Sequence, residues 1–311
     1  MHIFADSKRR PIDTPATASR IADSHLHLTM VNDPVFALAR APFAGVDFVV
    51  TVLDPTELPG SSPEIFFRWL DAVQAEAREV TAALTEHGWQ TAAGESGVVL
   101  DPVTVRVTAG CHPHNASKLD DEVREVLRSL LAHPMVTVLG EIGLDFYYDF
   151  SPRDVQRSVF EEQLAMAHEL RMPATLHIRD AHDEAISILR SVGVPPRGCV
   201  LHCFGEDEAT LAPFLELGCH VSYAGPVTFR KSETLRRTLV STPIDRILTE
   251  TDAPFMSPEP LRGMESEPAF TLFTARRIAE VRAEALGEPI ERTLAALHEN
   301  ARRIYGGSHH E

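Results

Sequence analysis

Cysteine is scarce in this chain: Cys111, Cys199, Cys203 and Cys219 are the only four among 311 residues. So few thiols in so long a chain exclude a disulfide-stapled scaffold and fit a reducing, cytoplasmic compartment. Apolar runs are short, and none reaches the roughly 18 residues that span a bilayer. The opening MHIFADSKRRPIDTPATASR lacks the apolar stretch of a secretory leader, so neither a membrane partner nor export is expected. Basic residues are outnumbered, 29 Lys and Arg against 45 Asp and Glu, for a formal net charge of −16. That balance excludes a broad nucleic-acid platform, whose affinity rests on Lys and Arg neutralising phosphates. A local pocket can still take a phosphate where metal cations supply the positive charge.

What the chain does have is apolar content, 44%, enough for a large core. Short β-branched runs alternate with helical patterns. The runs at 21–28, 46–53, 103–110, 135–142, 173–178, 199–204, 219–224 and 247–252 predict eight strands. Several are apolar almost throughout, as parallel strands buried on both faces must be. Helices are predicted at 64–87, 120–132, 153–171, 181–192, 206–217, 232–240, 269–286 and 290–304. In 153–171, Val155, Val159, Phe160, Leu164, Ala167 and Leu170 share a face, with Ser151 as the expected cap and Pro152 in the first turn. Ile290, Leu294, Leu297, Ala301 and Ile304 form a second apolar stripe.

Eight strand-then-helix units predict a single-domain (β/α)8 TIM barrel over 21–305. An open doubly wound sheet is disfavoured, because no glycine-rich phosphate loop follows the first strand. Residues 1–20 read as a polar N-terminal tail and 306–311 as a C-terminal tail. The stretch 54–102 is long for one connection and reads as an insertion around the second helix.

In Asp23-Ser24-His25-Leu26-His27 the two histidines are two apart, so on a strand they share a face. Further ligand-type residues fall at later strand ends: Glu141, His177, His202 and Asp252. Each closes a hydrophobic strand, where an unpartnered polar group is costly to bury. Barrel strands converge at one mouth, so the six are expected to meet there. Four imidazoles and two carboxylates exceed one zinc's usual share and suit two divalent ions about 3.5–4 Å apart, bridged by a carboxylate. Imidazoles favour zinc or manganese, whereas magnesium prefers oxygen. If His202 faces inward, Cys203 faces the helices as a packed thiol.

The ordered set Asp-Ser-His-Leu-His-Leu (23–28), Gly-Cys-His-Pro-His (110–114), Gly-Glu-Ile-Gly-Leu-Asp-Phe-Tyr (140–147), His-Ile-Arg-Asp-Ala (177–181), His-Cys-Phe (202–204) and Thr-Glu-Thr-Asp-Ala-Pro (249–254) resembles the TatD-type metal-dependent deoxyribonucleases. The resemblance implies a TIM barrel, two divalent metals and hydrolysis of phosphodiester bonds in DNA or nucleotides. It implies one ion on His25, His27, Glu141 and Asp252, and the other on Glu141, His177 and His202. Asp252 would also orient or deprotonate the attacking water.

His112 and His114, just past the third strand, are candidates for binding the phosphate or leaving group, with loop capping as the alternative. Arg179 is a candidate phosphate clamp, with an ion pair to Asp145 or Asp180 as the alternative. Asp23 reads either as a partner of a ligating histidine or as an acceptor of backbone hydrogen bonds. The arginine pairs 236–237, 276–277 and 302–303 and Arg230-Lys231 read as solvated helix faces. The competing functions are a hydrolase of a small-molecule C–N or ester bond using the same metals, and a non-catalytic binding barrel.

Overall fold

The computed structural model describes residues 3–6, 8–58, 62–95 and 100–307. Of the expected C-terminal tail, 306–311, residues 308–311, with His309 and His310, lie outside the described residues. Eight strands form one sheet: β1 (Ile21–Leu26), β2 (Val46–Leu53), β3 (Thr104–Ala109), β4 (Val136–Asp145), β5 (Ala174–Arg179), β6 (Cys199–Leu201), β7 (His220–Tyr223) and β8 (Ile247–Thr249). They neighbour one another in chain order, every pair parallel. The ring is closed by residues just past β8. Leu26 bridges Ala253, Asp252 N donates to His25 O at 3.0 Å, and His27 N donates to Ala253 O at 2.7 Å. The predicted (β/α)8 barrel is therefore the observed architecture.

Helices α1 (Pro34–Arg40), α2 (Pro63–Glu86), α3 (Asp121–Leu131), α4 (Arg153–Glu169), α5 (His182–Val192), α6 (Glu208–Glu216), α7 (Glu233–Ser241), α8 (Thr271–Leu286) and α9 (Ile290–Tyr305) cover the sheet. Helix α1 escapes sequence periodicity because its seven residues span barely two turns; Asp33 caps it by accepting from Phe36 N. Ser151 does not cap α4. Its hydroxyl instead donates to His114 O and accepts from Ser117 N, tying the β3 loop to the start of the helix. Leu170 lies past the last turn of α4 and is 40% exposed, so the apolar face ends at Ala167.

Within 54–102, α2 runs 24 residues and buries Phe66, Phe67, Leu70, Val73 and Ala77. It is a lengthened barrel helix, followed by a loop in which Ala92 bonds to Phe43 O and Thr17 N. Near the N-terminus, Phe4–Ala5 pairs with Pro11–Ile12, and Phe4 packs edge-on against Phe270 and Phe273. This segment lies on α8 and the turn before it.

The core divides in two. Residues such as Leu26, Val49, Val107, Leu139, Leu176 and Leu201 face the helices, whereas Ala22, Phe48, Val50, Val138, Val200 and Leu248 fill the barrel. The alternation follows from the period of two along a strand. The far end of the barrel is stoppered by the end of α9: Ala301, Ile304 and Tyr305 join the interior cluster. The Tyr305 hydroxyl lies 2.9 Å from Thr175 Oγ1, and Thr137 Oγ1 donates to Tyr305 O at 2.8 Å. Replacing this buried ring leaves a cavity that a closed sheet cannot collapse to fill. Tyr305→Ala is expected to lower stability by about 3–5 kcal/mol and Tyr305→Phe by about 1 kcal/mol, measured by urea unfolding of each variant.

Candidate metal centre

The opposite end of the barrel holds the polar residues. Glu141 lies midway along β4, is 2% exposed, and is the hub. Its Oε1 lies 2.7 Å from His177 Nδ1, 2.9 Å from His202 Nε2 and 3.4 Å from His112 Nε2. Its Oε2 lies 3.3 Å from His25 Nε2 and 3.9 Å from His27 Nε2. Asp252 Oδ1 faces the same two rings, at 3.9 Å from His25 and 3.5 Å from His27. All six residues expected to meet do so, drawn from β1, β4, β5 and the segments just past β1, β6 and β8.

Local backbone makes this convergence possible. Asp252 and Cys203 have φ of 56° and 46°, left-handed turns that end β8 and β6 after three residues each. Both predicted strands are therefore shortened at their C-terminal ends. Because strand alternation stops at Leu201, Cys203 does not face the helices: it lines the mouth, and its backbone N donates to Glu250 Oε1. Gly143 has φ of +142°, and a Cβ there would lie 2.1 Å from His177 O, so only glycine lets β4 and β5 close beneath the two ligand-type side chains.

A second layer of acids holds the rings. His177 Nε2 donates to Asp145 Oδ2 at 3.0 Å, leaving Nδ1 aimed at Glu141. Asp145 also receives His114 Nε2 at 2.9 Å and the backbone N–H groups of Tyr147 and Tyr148. Glu250, fully buried, approaches His202 Nδ1 at 3.4 Å. Asp54 accepts from His112 N and Asn115 Nδ2. Asp145, in this holding role, together with Glu250 and Asp54, was not singled out from sequence. The signal for two of them was present: 145 shares the parity of 141 on one strand, and 250 that of 252.

His112 caps its loop, Nδ1 accepting from His114 N, while its Nε2 faces Glu141. Arg179 has no ion pair among the described residues with Asp145 or Asp180. Its guanidinium lies over Tyr147 and Tyr148, 4.1 and 4.8 Å from the ring centres. Asp23 accepts backbone bonds from Thr251 N and His25 N and the Thr251 hydroxyl, and touches no imidazole ring; burial pushes its carboxyl up to about 8.

Electrostatically the cluster is tense. Burial favours a neutral Glu141, but His202, His112 and His177 outweigh it and hold the carboxyl well below its usual range. Burial opposes charge on His202 too, yet Glu141 and Glu250 raise that ring well above the ordinary value. His112 is pushed by burial down to about 4. His25 is fully buried, both of its ring nitrogens lack a hydrogen bond among the described residues, and Nε2 nevertheless faces a carboxylate. A buried imidazole nitrogen that meets a carboxylate with no hydrogen bond between them is the arrangement a cation satisfies. Four groupings of these residues bring ligand atoms within 4.8 Å of one another, among them His25–His27–Glu141 and Glu141–His177–His202. The cluster floors a cavity of about 1200 Å³ at the C-terminal ends of the strands, where barrel enzymes carry out their chemistry.

A closed parallel barrel with imidazoles gathered around a buried glutamate at that face defines a metal-dependent hydrolase. The chain belongs to the TatD related DNase family, whose sequence model matches residues 22–306. It is 35% identical over 196 residues to YabD of Bacillus subtilis, an uncharacterized metal-dependent hydrolase, covering 63% of this chain and 75% of that one. It is 36% identical over 203 residues to the 3'-5' ssDNA/RNA exonuclease TatD of Erwinia tasmaniensis, covering 64% of this chain and 77% of that one. The crystal structure of YJJV, a TatD homologue from Escherichia coli, superposes with a TM-score of 0.72 at 26% identity, over 93% of this chain and 99% of that one.

The pKa directions set a pH dependence for the metal-free protein. His27, His177 and His202 are raised, each against its own burial, by their carboxylate neighbours. Their stabilisation is complete below the ordinary histidine value of 6.5 and is lost as pH rises through the raised values. Glu141 and Asp252 are lowered, so theirs is present above 4.5 and 3.8 respectively and is lost as pH falls through the lowered values. After chelation, the melting temperature is expected to fall as pH rises above 6.5, and His202→Gln to flatten that fall. Equal slopes in the two proteins, measured by calorimetry, would contradict this assignment.

Proposed function

We propose that this hydrolase cleaves phosphodiester bonds in DNA or nucleotides, using two divalent ions that share Glu141. The observation that carries the reading is that carboxylate, buried in a ring of imidazoles with one oxygen toward His25 and His27 and the other toward His177 and His202. His25, His27, Glu141 and Asp252 would hold one ion; Glu141, His177 and His202 the other. The fully buried, unpartnered His25 ring fits this assignment. The imidazole-rich set favours zinc or manganese over magnesium. The DNA substrate is supported by family membership and by the activity for which the Erwinia relative is named. The four free thiols support a cytoplasmic setting.

When bound, the ions supply positive charge, which lowers the pKa of water from 15.7 toward about 7 and neutralises the phosphate. This chain's residues do the rest. Asp252, 7% exposed and facing the cavity, takes the proton of the attacking water. Asp145 keeps the His177 proton on Nε2, so the Nδ1 lone pair stays directed at the centre. Glu250 faces His202 Nδ1 at 3.4 Å and favours a proton on that nitrogen through its charge. His112, His114 and Arg179 line the cavity beside the centre and bind the phosphate or the leaving oxygen.

Purified protein is expected to carry about two equivalents of divalent metal per chain by elemental analysis. It should release nucleotides from a labelled single-stranded oligonucleotide with magnesium, manganese or zinc, and lose that activity on chelation. Glu141→Ala should abolish turnover. Asp145→Asn, which weakens the hold on His177 and on His114, should cost about 10–100-fold in activity or metal affinity. No nucleotide release with any of the three ions, alongside turnover of a small ester or cyclic amide, would replace the nuclease reading with the small-molecule one.

A further inference from the structure

The rim above the metal centre is apolar. Nine large hydrophobic residues are exposed among the described residues, and six of them line this one cavity: Met30, Ile65, Tyr148, Phe150, Phe255 and Met256. Exposed apolar side chains cost nothing when scattered, but clustered around a catalytic mouth they mark a binding surface. Charge points the same way. Arg179 is the only guanidinium or ammonium group lining the cavity among the described residues, against Asp54, Glu57, Glu141, Asp145, Glu206 and Asp252. A polyanion therefore finds little to hold along its backbone here, beyond the scissile phosphate itself.

The rings are arranged as two walls. On the loop after β4, Tyr148 and Phe150 are parallel within 10° with centres 5.2 Å apart, and Phe150 is 67% exposed. Both meet His114 edge-on, at 5.5 and 4.8 Å. On the loop after β8, Phe255 is 51% exposed and lies 6.1 Å from His27. Strands β4 and β8 are four positions apart in either direction around the barrel, so the walls face each other across the mouth. Each wall touches an imidazole of the floor, which is the reach of a base joined through its sugar to a phosphate held at the centre.

We propose that the two nucleobases flanking the scissile phosphate stack on these walls, one on Tyr148–Phe150 and the other on Phe255, so that the site selects unpaired strands by their bases. The inference rests on the phosphodiesterase reading above. Stacking tolerates any base, because each has a π-face, but it requires faces that a duplex keeps covered.

The test compares oligothymidylate with the same strand carrying base-free tetrahydrofuran residues on both sides of the cleaved bond. For the wild type, removing the bases is expected to lower kcat/KM, mostly through KM, by about 5- to 150-fold per stack, the worth of ~1–3 kcal/mol. Phe150→Ala and Phe255→Ala should each lower kcat/KM on oligothymidylate within that range, and lose far less on the base-free strand, where the stack is already absent. Phe150→Trp should retain discrimination and Phe150→Leu should lose it, which separates stacking from bulk. A blunt hairpin duplex should be a poor substrate for the wild type. Equal rates on the two strands, or equal losses on both in Phe150→Ala and Phe255→Ala, would overturn the stacking proposal while leaving the nuclease intact. Failure of the wild type to cut either strand would overturn the nuclease reading, and this proposal with it.

Discussion

A buried carboxylate must be compensated, and at Glu141 the compensation comes from imidazoles belonging to four different strand ends. This constraint organises the rest of the mouth. His177, which serves Glu141 with one nitrogen, has its other nitrogen anchored on Asp145, and Glu250 faces the other nitrogen of His202 at 3.4 Å. Asp145 in turn is held by the backbone amides of Tyr147 and Tyr148, which fixes the start of the aromatic loop. The acids, the rings and the rim are thus one network of directed bonds, and none of its layers is positioned independently.

The same network bears on how so acidic a protein would take the anionic substrate proposed for it. Net negative charge over the surface repels a polyanion, and the arginines read as solvated faces are spent on helix and turn contacts. Arg236 donates to backbone carbonyls near α7, Arg276 pairs with Glu280, and Arg303 bonds to Asp245 O and Asn300. On the reading proposed here, positive charge is concentrated at the metal centre and the rim rings carry the rest of the contact, which would limit recognition to the few nucleotides nearest the reacting bond.

Most of the fold was legible because the signals were local and repeated. Among the described residues, all eight barrel strands and eight of the nine α-helices followed from periodicity, and the barrel followed from their alternation, whereas the short N-terminal pair at Phe4–Ala5 and Pro11–Ile12 did not. The six residues that meet at the centre were legible because each is a polar group ending an apolar strand. What escaped needed three-dimensional information. Ser151 reads as a cap until the β3 loop is seen to claim its hydroxyl. Cys203 reads as outward-facing until the left-handed turn after Leu201 breaks the alternation. Helix α1 is too short to show a period. Asp145 and Glu250 did carry a parity signal, but on their strands a single stronger candidate, Glu141 or Asp252, drew attention first.

The stopper formed by α9 has a consequence for biosynthesis. The barrel's interior is sealed by Tyr305, and its first strand is closed by residues beyond β8, so the earliest and latest parts of 21–305 must both be in place before the centre exists. A nascent chain still on the ribosome carries the histidines of β1 and β5 long before it can hold an ion between them. The centre therefore gathers only once the first strand and the segments past β8 have folded together.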